Sequence, residues 1–187
     1  MVDVHERDLD VEPAAVAADR ERRLVAAAGD GDVDAFAQLV ERYGPPVHAL
    51  CAASTLDHGE AEDLVQDVFT AAWRGLPRFR GSAAFSTWLF AIARNACVDR
   101  SRRRRARPAA VPLEAAEPLA TDGPDPRRAD VLAAAARLPL PLRRAVLLRD
   151  LHGFAYEEIA LLEGIPLGTV RSRIADGRRR LAGELER

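Results

Sequence analysis

The sequence predicts an all-α protein of two small helical domains joined by a flexible linker, and three observations carry that prediction. Apolar residues recur at helical spacing in several stretches, and nowhere does the Val/Ile alternation of a strand appear. Five prolines fall within PAAVPLEAAEPLATDGPDP, residues 108–126, with no sustained helical period, which reads as an extended linker. Near the carboxyl end, two short helical patterns meet at a tight Gly-containing turn, the signature of a helix-turn-helix. The boundaries follow: an acidic segment over 1–18, a first domain over 19–107, a linker over 108–127 and a second domain over 128–187.

Composition bounds the function. With 187 residues, 48% hydrophobic and 5% aromatic, the chain holds modest helical cores. No stretch approaches a transmembrane span, and MVDVHERDLDVEP at the amino terminus is acidic with no apolar signal region, so a cytoplasmic protein without membrane insertion is expected. Cys51 and Cys97 each lack a second Cys or His at metal-ligand spacing; they read as small buried thiols, with no cofactor or metal. The net charge of -2 conceals a segregation. Residues 1–67 hold sixteen Asp and Glu against five Arg, whereas residues 74–107 hold ten Arg against Asp99 alone. A basic middle block points to a polyanion-binding face, and the acidic block beside it is left for a different partner.

Taken in order, GDVDAFAQLVERYGPPVHAL reads as a helix with Phe36, Leu39 and Val40 inward, broken at Gly44-Pro45-Pro46. EAEDLVQDVFTAAWRGL reads as another, with Leu64, Val65, Val68, Phe69 and Ala72 as its buried stripe and Asp63, Gln66, Asp67 and Thr70 as its polar face. Such a face suits a protein partner. A metal hydrolase would use Glu62, Asp63 and Asp67 as ligands, but no His or further carboxylate accompanies them at a matching spacing. Next, RFRGSAAFSTWLFAIARNACVDRSRRRRAR, residues 78–107, begins as a Gly/Ser loop between Phe79 and Phe85. It continues as a helix with Trp88, Leu89, Ile92, Ala93 and Ala96 inward. Trp88 belongs to the core by register, and Phe79 at the loop is expected to be exposed. Aromatics and the Asn95 amide beside a basic helix are the ingredients for holding unstacked bases.

Beyond the linker, GFAYEEIALLEG forms the first short helix of the turn motif, with Ala155 where a capping side chain would sit and Gly164 as its stop. Ile165 and Pro166 open the second helix, which places Val170, Ile174 and Leu181 inward with Gly177 beside them. Ser172, Asp176 and Arg179 lie opposite. Arg171 with Arg178, and Arg173 with Arg180, form two cationic rails, and acidic partners at helical spacing are taken to be missing. A helix of that cross-section fits a DNA major groove, the rails toward phosphates and the ridge toward base edges.

Three ordered segments, AEDLVQDVFTAAW, FRGSAAFSTWLFAIARNACVD and AYEEIALLEGIPLGTVRSRI, resemble bacterial RNA polymerase sigma factors of the extracytoplasmic-function group, within the sigma-70 family. The resemblance covers about residues 24–107 and 128–185. It implies sigma region 2 and region 4 domains, and a transcription initiation factor that brings core RNA polymerase to promoter DNA and helps melt the minus-ten element. It also implies an anti-sigma factor as partner and no enzymatic activity. Asp63, Gln66 and Asp67 would face core polymerase. Phe79, Ser82 and Phe85, with Asn95, would capture a flipped minus-ten base, and Arg94, Asp99, Arg100 and Arg102 would meet the neighbouring duplex and backbone. Thr169, Arg171, Ser172, Arg173, Asp176, Arg178, Arg179 and Arg180 would serve the minus-thirty-five element. Many family members carry a basic residue in place of Asp176 and Ala in place of Gly177, so promoter sequence does not transfer from relatives. The alternative is a dimeric helix-turn-helix repressor or activator, which explains 153–181 and gives the first domain no task.

Overall fold

The computed structural model describes residues 14–106 and 126–186, so most of the acidic segment and nearly all of the linker lie outside the described residues. Among the described residues there are eight α-helices and no strand, as the periodicity predicted.

Helix α1 (Ala14–Gly29) ends in a turn through Gly31, and Asp32 then caps α2 (Val33–Thr55) by accepting from the Asp34 and Ala35 N–H groups at 2.9 and 3.0 Å. The expected break at Gly44-Pro45-Pro46 does not occur. Helix α2 runs through both prolines, because Leu39, Tyr43, Val47 and Leu50 lie on one buried face that only a continuous helix can keep in register. The prolines remove donors that would have met the Glu41 and Arg42 carbonyls, and both of those residues are exposed, where water can serve the freed acceptors. Tertiary burial outweighs the local penalty.

Asp57 caps α3 (His58–Gly75) through the Glu60 N–H at 2.7 Å. A 3-10 turn (Leu76–Arg78) and an irregular loop lead into α4 (Phe85–Ala106). The second half contains α5 (Pro126–Ala136), α6 (Leu140–Asp150), α7 (Tyr156–Glu163) and α8 (Leu167–Leu185). In the first half α2 is central and packs on α1, α3 and α4; in the second, α8 packs on α5, α6 and α7. Fully buried leucines such as Leu39, Leu50 and Leu89 each contribute ~1.5–3 kcal/mol of hydrophobic stabilisation.

The two halves also touch, α2 against α6 and α4 against α7. Residues 49–55 at the end of α2 are buried without interruption, so that turn is covered around its whole circumference. Cys51 and Cys97 are the small buried thiols the spacing suggested. A thiol hydrogen bond between them, together with burial, raises the Cys51 pKa well above the ordinary thiol range and keeps it neutral.

Candidate nucleic-acid interface

Three surfaces gather the sequence-predicted residues. On α3 the inward stripe is Ala61, Leu64, Val68, Phe69 and Ala72, with Val65 half-buried, and the opposite face presents Asp63, Gln66, Asp67 and Thr70 to solvent. Asp63, Gln66 and Asp67 have no hydrogen-bond or ion-pair partner among the described residues, whereas neighbouring Glu62 pairs with His58 at 3.1 Å. Among the described residues, no three His, Cys, Asp or Glu side chains group as a metal ion would require. These three side chains thus have no structural duty visible within the described residues.

The second surface is the loop before α4. Its aromatics are not displayed as expected. Phe79 is half-buried, stacked on Trp88 with ring centroids 4.9 Å apart, and Phe85 is a core residue at 3% exposure, edge-on to Tyr43 at 5.4 Å. The reason is mutual burial: Phe79, Phe85 and Trp88 offer each other more apolar surface than solvent does. Phe79 and Phe85 line a groove of about 750 Å³ together with Gly81, Ser82 and Ala83 on one side and α1 on the other, through Glu21, Arg22 and Asp30. Sequence reasoning missed the α1 wall, since nothing local links residues 21–30 to 79–85. Glu21 is held there by the Tyr43 hydroxyl, which donates to it at 2.5 Å, and burial with this contact raises the Tyr43 pKa.

Along α4, Asn95, Asp99 and Arg102 share one exposed face, with Arg102 and Asp99 3.8 Å apart. Arg100 lies 3.8 Å from Glu60. Arg94 does not join them. Its guanidinium is turned into the second half, where it donates to the Leu162 carbonyl at 2.9 Å, and burial lowers its pKa against the raising influence of Glu163.

The third surface is the helix-turn-helix. Glu158 accepts from the Ala155 N–H at 2.6 Å, half of a capping box that offsets the missing side-chain cap. Gly164 supplies the left-handed turn at φ 62°. Val170, Ile174 and Gly177 face inward on α8, as predicted. The expectation that α8 has no acidic partners is corrected: Asp176 pairs with Arg179 at 3.0 Å and Arg180 at 3.1 Å, and Arg178 makes a bidentate pair with Asp150 of α6 at 2.5 and 3.0 Å. Arg173 lies 3.7 Å from Glu163, which is also held by Arg144 at 2.6 Å. Thr169 is half-buried, and Ser172 is exposed with its hydroxyl donating to the Thr169 carbonyl. Arg171 alone of the five α8 arginines is exposed with no partner among the described residues.

Two family models match: Sigma-70 region 2 over residues 39–107 and Sigma-70, region 4 over residues 128–181. The chain belongs to the sigma-70 family, in its extracytoplasmic-function group. It is 41% identical over 165 residues to the ECF RNA polymerase sigma factor SigM of Mycobacterium tuberculosis, covering 85% of this chain and 81% of the relative. To the ECF RNA polymerase sigma-E factor of Escherichia coli it is 35% identical over 178 residues, covering 87% and 93%. The structure of the sigma factor RpoE in complex with the anti-sigma factor NepR from Bartonella quintana superposes with a TM-score of 0.57 at 29% identity, covering 82% of this chain and 98% of that one. As a sigma factor it directs RNA polymerase to promoters, and the dimeric repressor alternative gives way to that role. No helix among the described residues is long and apolar enough to cross a membrane.

Gly177 has a packing reason in this sigma factor. A Cβ there would lie 2.4 Å from Val146 Cγ2 and 3.2 Å from the Leu142 carbonyl, so α6 and α8 approach more closely than alanine allows. Gly177→Ala is therefore expected to destabilise the second half by ~1–3 kcal/mol despite the higher helix propensity of alanine. Urea unfolding followed by circular dichroism measures it; a stabilised variant would show that the helices can move apart.

Proposed function

We propose that this sigma factor divides promoter initiation among the three surfaces. The α3 face, through Asp63, Gln66 and Asp67, docks core RNA polymerase. The groove beside Ser82, with Asn95, takes an unstacked base of the minus-ten element and so helps melt the duplex; Asp99, Arg100 and Arg102 meet the adjacent backbone, and Arg94 joins them when free. The amino-terminal turns of α8 read the minus-thirty-five element through Arg171, Ser172 and Arg173. The observation that carries this reading is the lack of internal partners for Asp63, Gln66, Asp67 and Arg171, in a molecule that pairs most of its other charges near these sites. An anti-sigma factor is the expected regulator, in keeping with the complex formed by the Bartonella quintana relative. The protein acts in the cytoplasm, without cofactor and without catalysis of its own.

Run-off transcription with purified core polymerase tests the whole. Transcripts are expected from duplex promoters with wild-type protein. Asn95→Ala should slow initiation there and recover on templates pre-melted at the minus-ten, because its amide serves only a base that has left the stack. An equal defect on both templates would place Asn95 outside base capture.

The α8 arginines should separate by role. Arg171→Ala removes an uncommitted guanidinium from the first turns, so loss of preference at one minus-thirty-five position is expected, worth ~1–3 kcal/mol. Arg178→Ala breaks the tie to Asp150 and should weaken binding to all sequences alike. Binding of the full chain, in holoenzyme, to a library of promoter variants distinguishes them. Identical losses with unchanged preference would make α8 an electrostatic anchor only.

A further inference from the structure

The groove between α1 and the loop before α4 meets three charged residues on its α1 side, Glu21, Arg22 and Asp30. They are not equivalent. Arg22 is turned to Asp19 at 3.3 Å, and Asp30 is exposed just past the end of the helix. Glu21 is pinned. Its side chain is only 18% exposed, the Tyr43 hydroxyl donates to its Oε2 at 2.5 Å, and Arg42 lies 3.5 Å from that same oxygen. Tyr43 is a core residue packed edge-on against Phe85 and Phe90, so the carboxylate is anchored to the core. Both partners use one oxygen. The other, Oε1, has no hydrogen bond or ion pair among the described residues.

The charge pattern decides which end of a nucleotide such a groove takes. Two carboxylates on the α1 wall disfavour a phosphate there, whereas Arg78 and Arg80, which flank Phe79 in the loop, are exposed and have no partner among the described residues. A strand is therefore favoured with its backbone on the arginine side and a base turned toward α1. Bases differ at the edge they then present. Cytosine and adenine offer an amino group, a donor, where thymine offers a carbonyl oxygen, an acceptor. An ionised carboxylate only accepts, so it matches the first two and meets thymine with two acceptors and no proton between them.

We propose that Glu21 is a specificity-determining residue of this groove: its free Oε1 accepts from the exocyclic amino group of the captured base, selecting cytosine or adenine over thymine. This rests on the base-capture role given above to the same groove. Tyr43 is a positioning residue, fixing which oxygen is left over. A hydrogen bond to a charged group separates the two classes of base by about tenfold in affinity.

Glu21→Gln inverts the chemistry and keeps the shape. Tyr43 and Arg42 are both donors, so they retain the amide oxygen and turn the NH2 into the groove, where it matches thymine and opposes an amino group. Holoenzyme made from core polymerase and the full chain is titrated with promoter templates pre-melted at the minus-ten, which removes the cost of unpairing from the comparison. An abasic nucleotide placed at each minus-ten position of either strand in turn finds the captured base, and cytosine, adenine and thymine are then compared at that position. Wild type is expected to favour cytosine and adenine over thymine about tenfold, and Glu21→Gln to favour thymine. Tyr43→Phe should keep the wild-type order with a narrower gap. Thermal unfolding confirms that each variant is folded at the assay temperature. The same preference in wild type and Glu21→Gln would overturn the assignment of Glu21 and leave base capture standing, and a wild-type gap in Tyr43→Phe would remove the positioning role. If no position responds to the abasic nucleotide, base capture itself fails, and the role of Glu21 with it.

Discussion

Arg144→Met is expected to lower the stability of the chain by ~3–5 kcal/mol, a large share of what a protein of this size possesses. Arg144 and Glu163 form an ion pair whose side chains are only 7% and 1% exposed, with 2.6 Å between Nη2 and Oε2. The second carboxylate oxygen, Oε1, is buried with no hydrogen-bond partner among the described residues. Removing the guanidinium leaves Glu163 charged in a nearly dry site, with Arg173 at 3.7 Å as a poor substitute. The pair itself need not stabilise, since desolvating two ions costs about as much as their attraction returns. Arg144→Met with Glu163→Leu should therefore recover most of the loss. Urea midpoints of the two variants decide it, and a double variant no better than the single would mean that the carboxylate has a role beyond pairing with Arg144.

That pair lies at the seam of the two halves, next to Leu162, and it shows where sequence reasoning stops. Periodicity was enough for α3, because its buried residues fall on one helical stripe and the polar residues Asp63, Gln66, Asp67 and Thr70 off it are exposed. It was enough for the helix-turn-helix, because Gly164 has no rival explanation and the inward positions of α8 are few. Helix α2 defeated it: two adjacent prolines are the strongest local stop signal, and only the burial of Tyr43, Val47 and Leu50 on one line reveals why the helix continues. Helices α5 and α6 were not separated in advance, since residues 130–150 are apolar on nearly every face and prolines sit at the junction.

The site was legible in its residue types and not in their partnerships. Phe79 and Phe85 belong to the right loop, but an aromatic cluster closes over them. Arg178 and Asp150 are 28 residues apart, and Arg94 and Leu162 are 68 apart, so no window on the sequence contains either pair. Charge counting treats each arginine as available. The fold has already committed four of the five on α8, and that leaves Arg171 as the one with no partner among the described residues.

Charge reversal on α3 tests the remaining surface. Asp63→Arg with Asp67→Arg should abolish stable association with core RNA polymerase while leaving the fold intact. Both carboxylates are exposed and lie off the buried stripe, so no core contact is removed and unfolding should change by no more than ~0.5 kcal/mol. Hydrogen bonds to charged groups are worth ~1.5–3 kcal/mol each, so two lost together amount to more than a hundredfold in affinity, before any repulsion from the new cations is counted. Asp63→Asn with Asp67→Asn gives the intermediate case, retaining hydrogen-bond capacity without charge. Affinity should fall in the order wild type, amide pair, arginine pair, with the salt dependence falling between the first two and inverting for the third. Co-purification with core polymerase followed by titration at two ionic strengths measures this series. Wild-type affinity in the arginine pair would move the docking face off α3, and a loss of helicity in the same variant would show instead that these carboxylates hold the bundle together.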